Sequence, residues 1–71
     1  MSKSLAEDLL KYILKDAPFL ASRVDVARLG NGEWIVRIRT GPDLRFHVWD
    51  FDNWQAVKGQ FGVRAEVEVE A

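Results

Sequence analysis

EWIVRIRT (residues 33–40), GPD (41–43) and LRFHVWD (44–50) are the three consecutive segments that decide the fold of this chain. The first and third alternate apolar and polar side chains, which is the period of a strand with one buried face. Gly-Pro-Asp between them is typical of a tight turn. The sequence therefore predicts an antiparallel hairpin of two strands, Glu33–Thr40 and Leu44–Asp50.

Two more strands are predicted on either side of this hairpin. Arg23–Leu29 alternates in the same way and is joined to the hairpin by Gly30-Asn31-Gly32, where positive φ angles cost little. Val63–Val69 alternates strictly and predicts a last strand. Its place, beside the first strand or across a dimer, is left open by the sequence.

Helical signals lie before the first strand and before the last one. Residues 4–17 place Leu5, Leu9 and Ile13 at helical spacing, and Ser4 with Glu7 predicts a capping box at the start. Pro18 predicts the end of this helix, because proline disfavours helical geometry in the residue before it.

The second predicted helix is short. Asp50 or Asp52 is expected to cap it, Trp54 and Val57 are expected to be buried, and Gly59 is expected to close it. Residues 1–71 are thus predicted to be a single α+β domain of order α-β-β-β-α-β, with a mostly antiparallel sheet and both helices on one face.

Alternation divides the strands into two faces. The inner face is expected to pack under the helices and consists of Val24, Val26, Trp34, Val36, Ile38, Leu44, Phe46, Val48, Val63, Ala65, Val67 and Val69. The outer face is expected to meet solvent and consists of Arg23, Asp25, Ala27, Ile35, Arg37, Arg39, Arg45, His47, Trp49, Arg64, Glu66, Glu68 and Glu70. Trp34 and Trp54 are therefore predicted to be core residues, whereas Trp49 is predicted to be exposed.

Composition excludes several classes of protein. The chain has 71 residues, no cysteine and a single histidine, so disulfides, thiolate sites and histidine-rich metal sites are excluded, and no cofactor is predicted. No apolar run is long enough to span a bilayer, and the charged start lacks the pattern of a secretory signal, which favours a cytoplasmic protein without a membrane partner. Because so short a chain buries a small core, self-association is expected.

The candidate binding residues lie on the outer face of the hairpin: Arg37, Arg39, Arg45, His47 and Trp49. Like charges on neighbouring strands are mildly destabilising, so something should compensate them. The acidic last strand could do so, or a partner could. The sequence favours a non-enzymatic interaction module that acts through this face and self-associates. The alternative is a nucleic-acid-binding protein in which the arginines contact phosphates and Trp49 stacks on a base.

Catalysis and metal binding are weaker interpretations. His47 and Asp50 could form a general-base pair only if the strand bends between them, because positions three apart in a strand point to opposite faces. Asp50, Asp52 and Asn53 lack the glycine and glutamate that a calcium loop requires at later positions, so helix capping explains them better. The first five elements follow the order of double-stranded RNA-binding domains, but Asp52–Lys58 lacks the basic helix start of that family, and no membership is predicted.

Overall fold

A computed structural model describes residues 1–63, which form an α+β fold as predicted. The elements, in chain order, are α1 (Lys3–Asp16), a 3-10 segment (Pro18–Arg23), β1 (Val24–Arg28), β2 (Trp34–Arg39), β3 (Arg45–Val48), α2 (Phe51–Val57) and a second 3-10 segment (Lys58–Phe61). The predicted last strand, Val63–Val69, lies outside the described residues apart from its first position.

The three strands form one antiparallel sheet in the order β1-β2-β3. The register pairs Asp25 with Arg37 across the first turn and Arg39 with Arg45 across the second. In the first turn, Gly32 has a φ of 88°, and the Glu33 amide donates to the Asn31 side chain over 2.9 Å. Because paired residues on one sheet face lie side by side, this register determines which charges meet on the outer face.

The N-cap of helix α1 lies two residues before the serine of the predicted capping box. The Ser2 hydroxyl accepts from the Leu5 amide over 3.2 Å, so Ser2 is the N-cap, and Ser4 lies inside the helix. The capping box of Ser4 and Glu7 is therefore wrong. The predicted stop at Pro18 is confirmed, because α1 ends at Asp16 and Pro18 begins the 3-10 segment.

Helix α2 is capped by Asp50, the first of the two capping residues that the sequence left open. The Asp50 carboxylate accepts from the Asn53 amide over 2.7 Å and caps the helix. Its end differs from the prediction: α2 continues into the second 3-10 segment, and Gly62, with a φ of 88°, ends that segment in the left-handed conformation. Gly62, and not Gly59, therefore closes this part of the chain.

The core lies between α1, the inner face of the sheet and α2. Trp54 is fully buried at its centre, and its indole N–H donates to the Asp16 carboxylate over 2.9 Å. The buried cluster comprises Leu9, Ile13, Ala17, Leu20, Val36, Ile38, Val48, Trp54 and Val57, with Val24, Val26 and Phe46 packed against it. The inner face is thus confirmed for most of the described strand positions.

Three positions depart from the predicted faces. Leu44 lies in the turn before β3 and is 64% exposed, because its amide and carbonyl close the turn with Gly41 and Thr40. Trp34 is only half-buried, and the Lys3 ammonium lies 5.6 Å from the centre of its ring. Ile35 belongs to the outer face by register but is fully buried on the central strand.

Candidate functional site: an arginine-lined hollow on the outer face

The outer face of the sheet is organised in cross-strand rows. Arg39 and Arg45 form one row, directly opposite each other on β2 and β3. The next row runs across all three strands as Asp25, Arg37 and His47. The register thus brings together four of the predicted binding residues: Arg37, Arg39, Arg45 and His47.

Arg37 is paired with Asp25, which was predicted on the outer face but not among the candidate binding residues. Its Nη2 donates to Oδ2 of Asp25 over 2.7 Å, and its Nε donates to Oδ1 over 3.1 Å. This two-point contact matches the planar guanidinium to the planar carboxylate. The first turn is centred on Asn31, so residues equally distant from Asn31 pair, and that count was the signal for Asp25.

The electrostatics of Asp25 reflect its cationic surroundings. Hydrogen bonding from Arg37 holds the pKa of the Asp25 carboxyl below its ordinary value, and the charge of Arg45 acts in the same direction. The same hydrogen bond raises the pKa of the Arg37 guanidinium. Both groups of the pair are therefore fully ionised at neutral pH.

A hollow lies beside this pair on the outer face. We name it the arginine hollow; its volume is about 190 Å³, and its lining residues are Ser22, Arg23, Val24, Asp25, Arg37, Arg39 and Arg45. Arg23 enters the lining because the 3-10 segment ends there, immediately before β1. Four arginines against one aspartate give the lining a formal charge of +3.

Arg39 and Arg45 have no carboxylate partner among the ion pairs of the described part of the chain. Both are exposed, and they face each other across β2 and β3. Asp25 is already held by Arg37 through two hydrogen bonds. Within residues 1–63, the guanidinium groups of Arg39 and Arg45 therefore keep donors that are able to bind an anion.

An aromatic pair lies beyond the arginines on β3. The rings of His47 and Trp49 are 5.8 Å apart at an interplanar angle of 77°, an edge-to-face contact. Trp49 is 48% exposed, as predicted, and Ala27 and Ile35 pair in the next row along the sheet. The outer face thus changes along the strands from cationic to aromatic and apolar.

Of the two residues considered as a general-base pair, Asp50 has a structural role. The Asp50 carboxylate caps α2, and its neighbour Asn53 accepts from the Trp49 amide over 3.0 Å through its side-chain oxygen. His47 contacts Trp49 rather than Asp50. Within residues 1–63 no group of three or more metal-ligating side chains comes together, and no helix there is long and apolar enough to cross a bilayer.

Comparisons with protein-family models, with curated proteins and with solved structures found no match to this chain.

Proposed function

We propose that this protein is a non-enzymatic interaction module that binds an anionic group of its partner in the arginine hollow. The observation that carries the proposal is the facing pair of Arg39 and Arg45, beside an aspartate that Arg37 already holds. Guanidinium groups bind carboxylates and phosphates in two-point geometry, and several around one hollow favour an anion with several oxygens.

The charge of the outer face also bears on self-association, which the sequence favoured. Two copies meeting through the same face would oppose one lining of +3 to another, which is repulsive. The whole chain has a net charge of −1, so all residues outside the lining together carry −4. A second copy would therefore meet this face with a different, acidic surface, and the contact would be heterologous.

The test uses inorganic phosphate as the probe. A ligand that binds only the folded state raises the unfolding temperature, and at ten times its Kd it adds about 1.4 kcal/mol to the free energy of unfolding. For a domain of this size that gain corresponds to roughly 5–10 °C. We expect sodium phosphate to raise the melting temperature above that in sodium chloride at equal ionic strength and pH 7.

Three variants locate the effect. Arg39→Gln and Arg45→Gln should lose most of the phosphate-specific increment, because each removes a guanidinium from the hollow. Arg28→Gln is the matched control, since Arg28 is exposed but belongs to the opposite face of β1. An increment that is absent in the native protein, or equal in all four proteins, would contradict the proposal.

A further inference from the structure

We infer that the partner is a single-stranded nucleic acid, with a phosphate in the arginine hollow and a base stacked on Trp49. This inference rests on the proposed function and specifies the chemical class of the partner. It draws on a second feature of the same face, the exposed aromatic pair beyond the arginines. A simple anion would use the arginines alone, whereas an oligonucleotide would use both features.

The spacing of the two features fits a chain that carries phosphates and bases together. Arg45 and Trp49 are four residues apart along nearly extended backbone, a separation of about 13 Å at 3.3 Å per residue. That separation is longer than one phosphate group but within the reach of a short oligonucleotide. One strand that laid a phosphate in the hollow could therefore place a neighbouring base over the indole.

The state of Trp49 supports stacking. About half of its surface is exposed, and its one aromatic neighbour on the outer face is His47, which meets it edge to face. The Asn53 side chain holds the Trp49 backbone amide over 3.0 Å, which anchors the residue to the start of α2. An anchored and exposed indole is the platform on which bases stack in single-strand binders.

Other polyanions fit this face less well. A run of acidic residues alone would satisfy the arginines but has no flat ring to stack on Trp49. In a duplex the base faces are covered by their neighbours, so Trp49 could not stack without disrupting it. Helix α2 also begins with Asp50 and Asp52, which would repel the phosphates of a broad duplex surface. The observations therefore favour a single strand.

The experiment is fluorescence anisotropy with labelled ten-nucleotide oligo(dT) and oligo(U), titrated with the full chain at several salt concentrations. We expect binding that weakens with salt, with a slope of log K against log [salt] near −2 for about three phosphate contacts. Arg45→Gln should reduce that slope by about 0.7. Arg28→Gln, on the opposite face, should leave it unchanged.

Trp49 variants test the stacking step directly. Trp49→Ala should weaken oligonucleotide binding by about 5- to 150-fold, the range of one lost base stack, whereas Trp49→Phe should retain most of the affinity. The phosphate-specific rise in melting temperature should be the same in both variants as in the native protein. Phe19→Ala is the matched control, because Phe19 is 57% exposed and outside the site.

The outcomes separate this inference from the proposed function. Equal competition by poly-glutamate of the same charge would overturn the inference in favour of a protein partner. Equal affinity for duplex, or no effect of Trp49→Ala, would overturn it too. No oligonucleotide binding together with a normal phosphate increment would overturn the inference and leave the proposed function standing. Loss of both responses would overturn both.

Discussion

Arg37 and Arg39 are two residues apart on β2 and face the same side of the sheet, yet their surroundings differ. Arg37 lies opposite Asp25 and is held by two hydrogen bonds, whereas Arg39 lies opposite Arg45. The pair of Arg37 and Asp25 reduces the charge at the centre of the face. Among the described residues it also leaves Arg39 and Arg45 without a carboxylate partner, which is the basis of the proposed function.

At the residue scale we predict the effect of Asp25→Asn. The variant should lower the free energy of unfolding at pH 7 by about 0.2–1 kcal/mol, the usual range for an exposed ion pair. It should also raise the affinity for phosphate, because Arg37 then loses its internal carboxylate. Urea unfolding and the phosphate melting assay measure the two effects, and Asp8→Asn on the exposed side of α1 is the control.

The same pair predicts a dependence on pH. The pKa of Asp25 is lower in the folded chain than its ordinary value of 3.8, so the folded state binds the proton less tightly than the unfolded state does. The stabilisation is therefore present above pH 3.8 and is lost as the pH falls below it. The difference between the native protein and Asp25→Asn should disappear in acid, and a constant difference would contradict the assigned pair.

Most residues of the outer face could be predicted from the sequence. Alternation placed Arg37, Arg45 and Trp49 on one face, and the structure agrees. Alternation does not reveal the pairing of Arg37 with Asp25, because the acidic residues of the predicted last strand offer a second source of compensating charge. That strand lies outside the described residues apart from its first position. Burial of Ile35 was also missed, since alternation gives the face of a residue but not how fully its neighbours cover it.

At the scale of elements, the 3-10 segment between α1 and β1 is an element that the sequence did not predict. Pro18 correctly ended the helix, but residues 18–23 have no period that distinguishes a short 3-10 segment from a loop. The element matters because it carries Ser22 and Arg23 to the rim of the hollow. The strands and turns were easier to predict, since each depends on alternation or on glycine and proline placed nearby.

We predict that Gly62 and Gly59 respond differently to alanine. Gly62 has a φ of 88°, so Gly62→Ala should cost about 1–2 kcal/mol. A Cβ on Gly59 would meet no atom of residues 1–63 within 4 Å, so Gly59→Ala should be neutral or stabilise by up to about 1 kcal/mol. Chemical unfolding of the two variants tests which glycine closes the second helical region, and equal losses would argue against Gly62.

At the scale of the whole molecule, charge is distributed unevenly. The lining of the arginine hollow is strongly cationic, although the net charge of the chain is −1. The net charge of the chain therefore gives no sign of this cationic lining and does not describe the charge of this face. The distribution of charge, and not its sum, sets what approaches this face.

We predict that any self-association through this face is sensitive to salt. A contact between the hollow and an acidic surface of a second copy should weaken as the ionic strength rises and should be lost in Arg45→Gln, because its attraction is screened. Sedimentation equilibrium at about 50 and 500 mM salt tests this, since the Debye length falls severalfold over that range. An oligomer that persists at high salt and in the variant must use another surface.

The most direct measurement is a two-dimensional NMR titration of the labelled chain with inorganic phosphate, which follows the arginine Nε–H signals and the backbone amides. We expect shifts in the side-chain signals of Arg39 and Arg45 and in the amides from Ser22 to Asp25, with the Arg28 signal unchanged. Two results would contradict an anion site in the arginine hollow. One is a set of shifts spread evenly over all the arginines, and the other is the absence of any shift beyond that caused by sodium chloride at the same ionic strength.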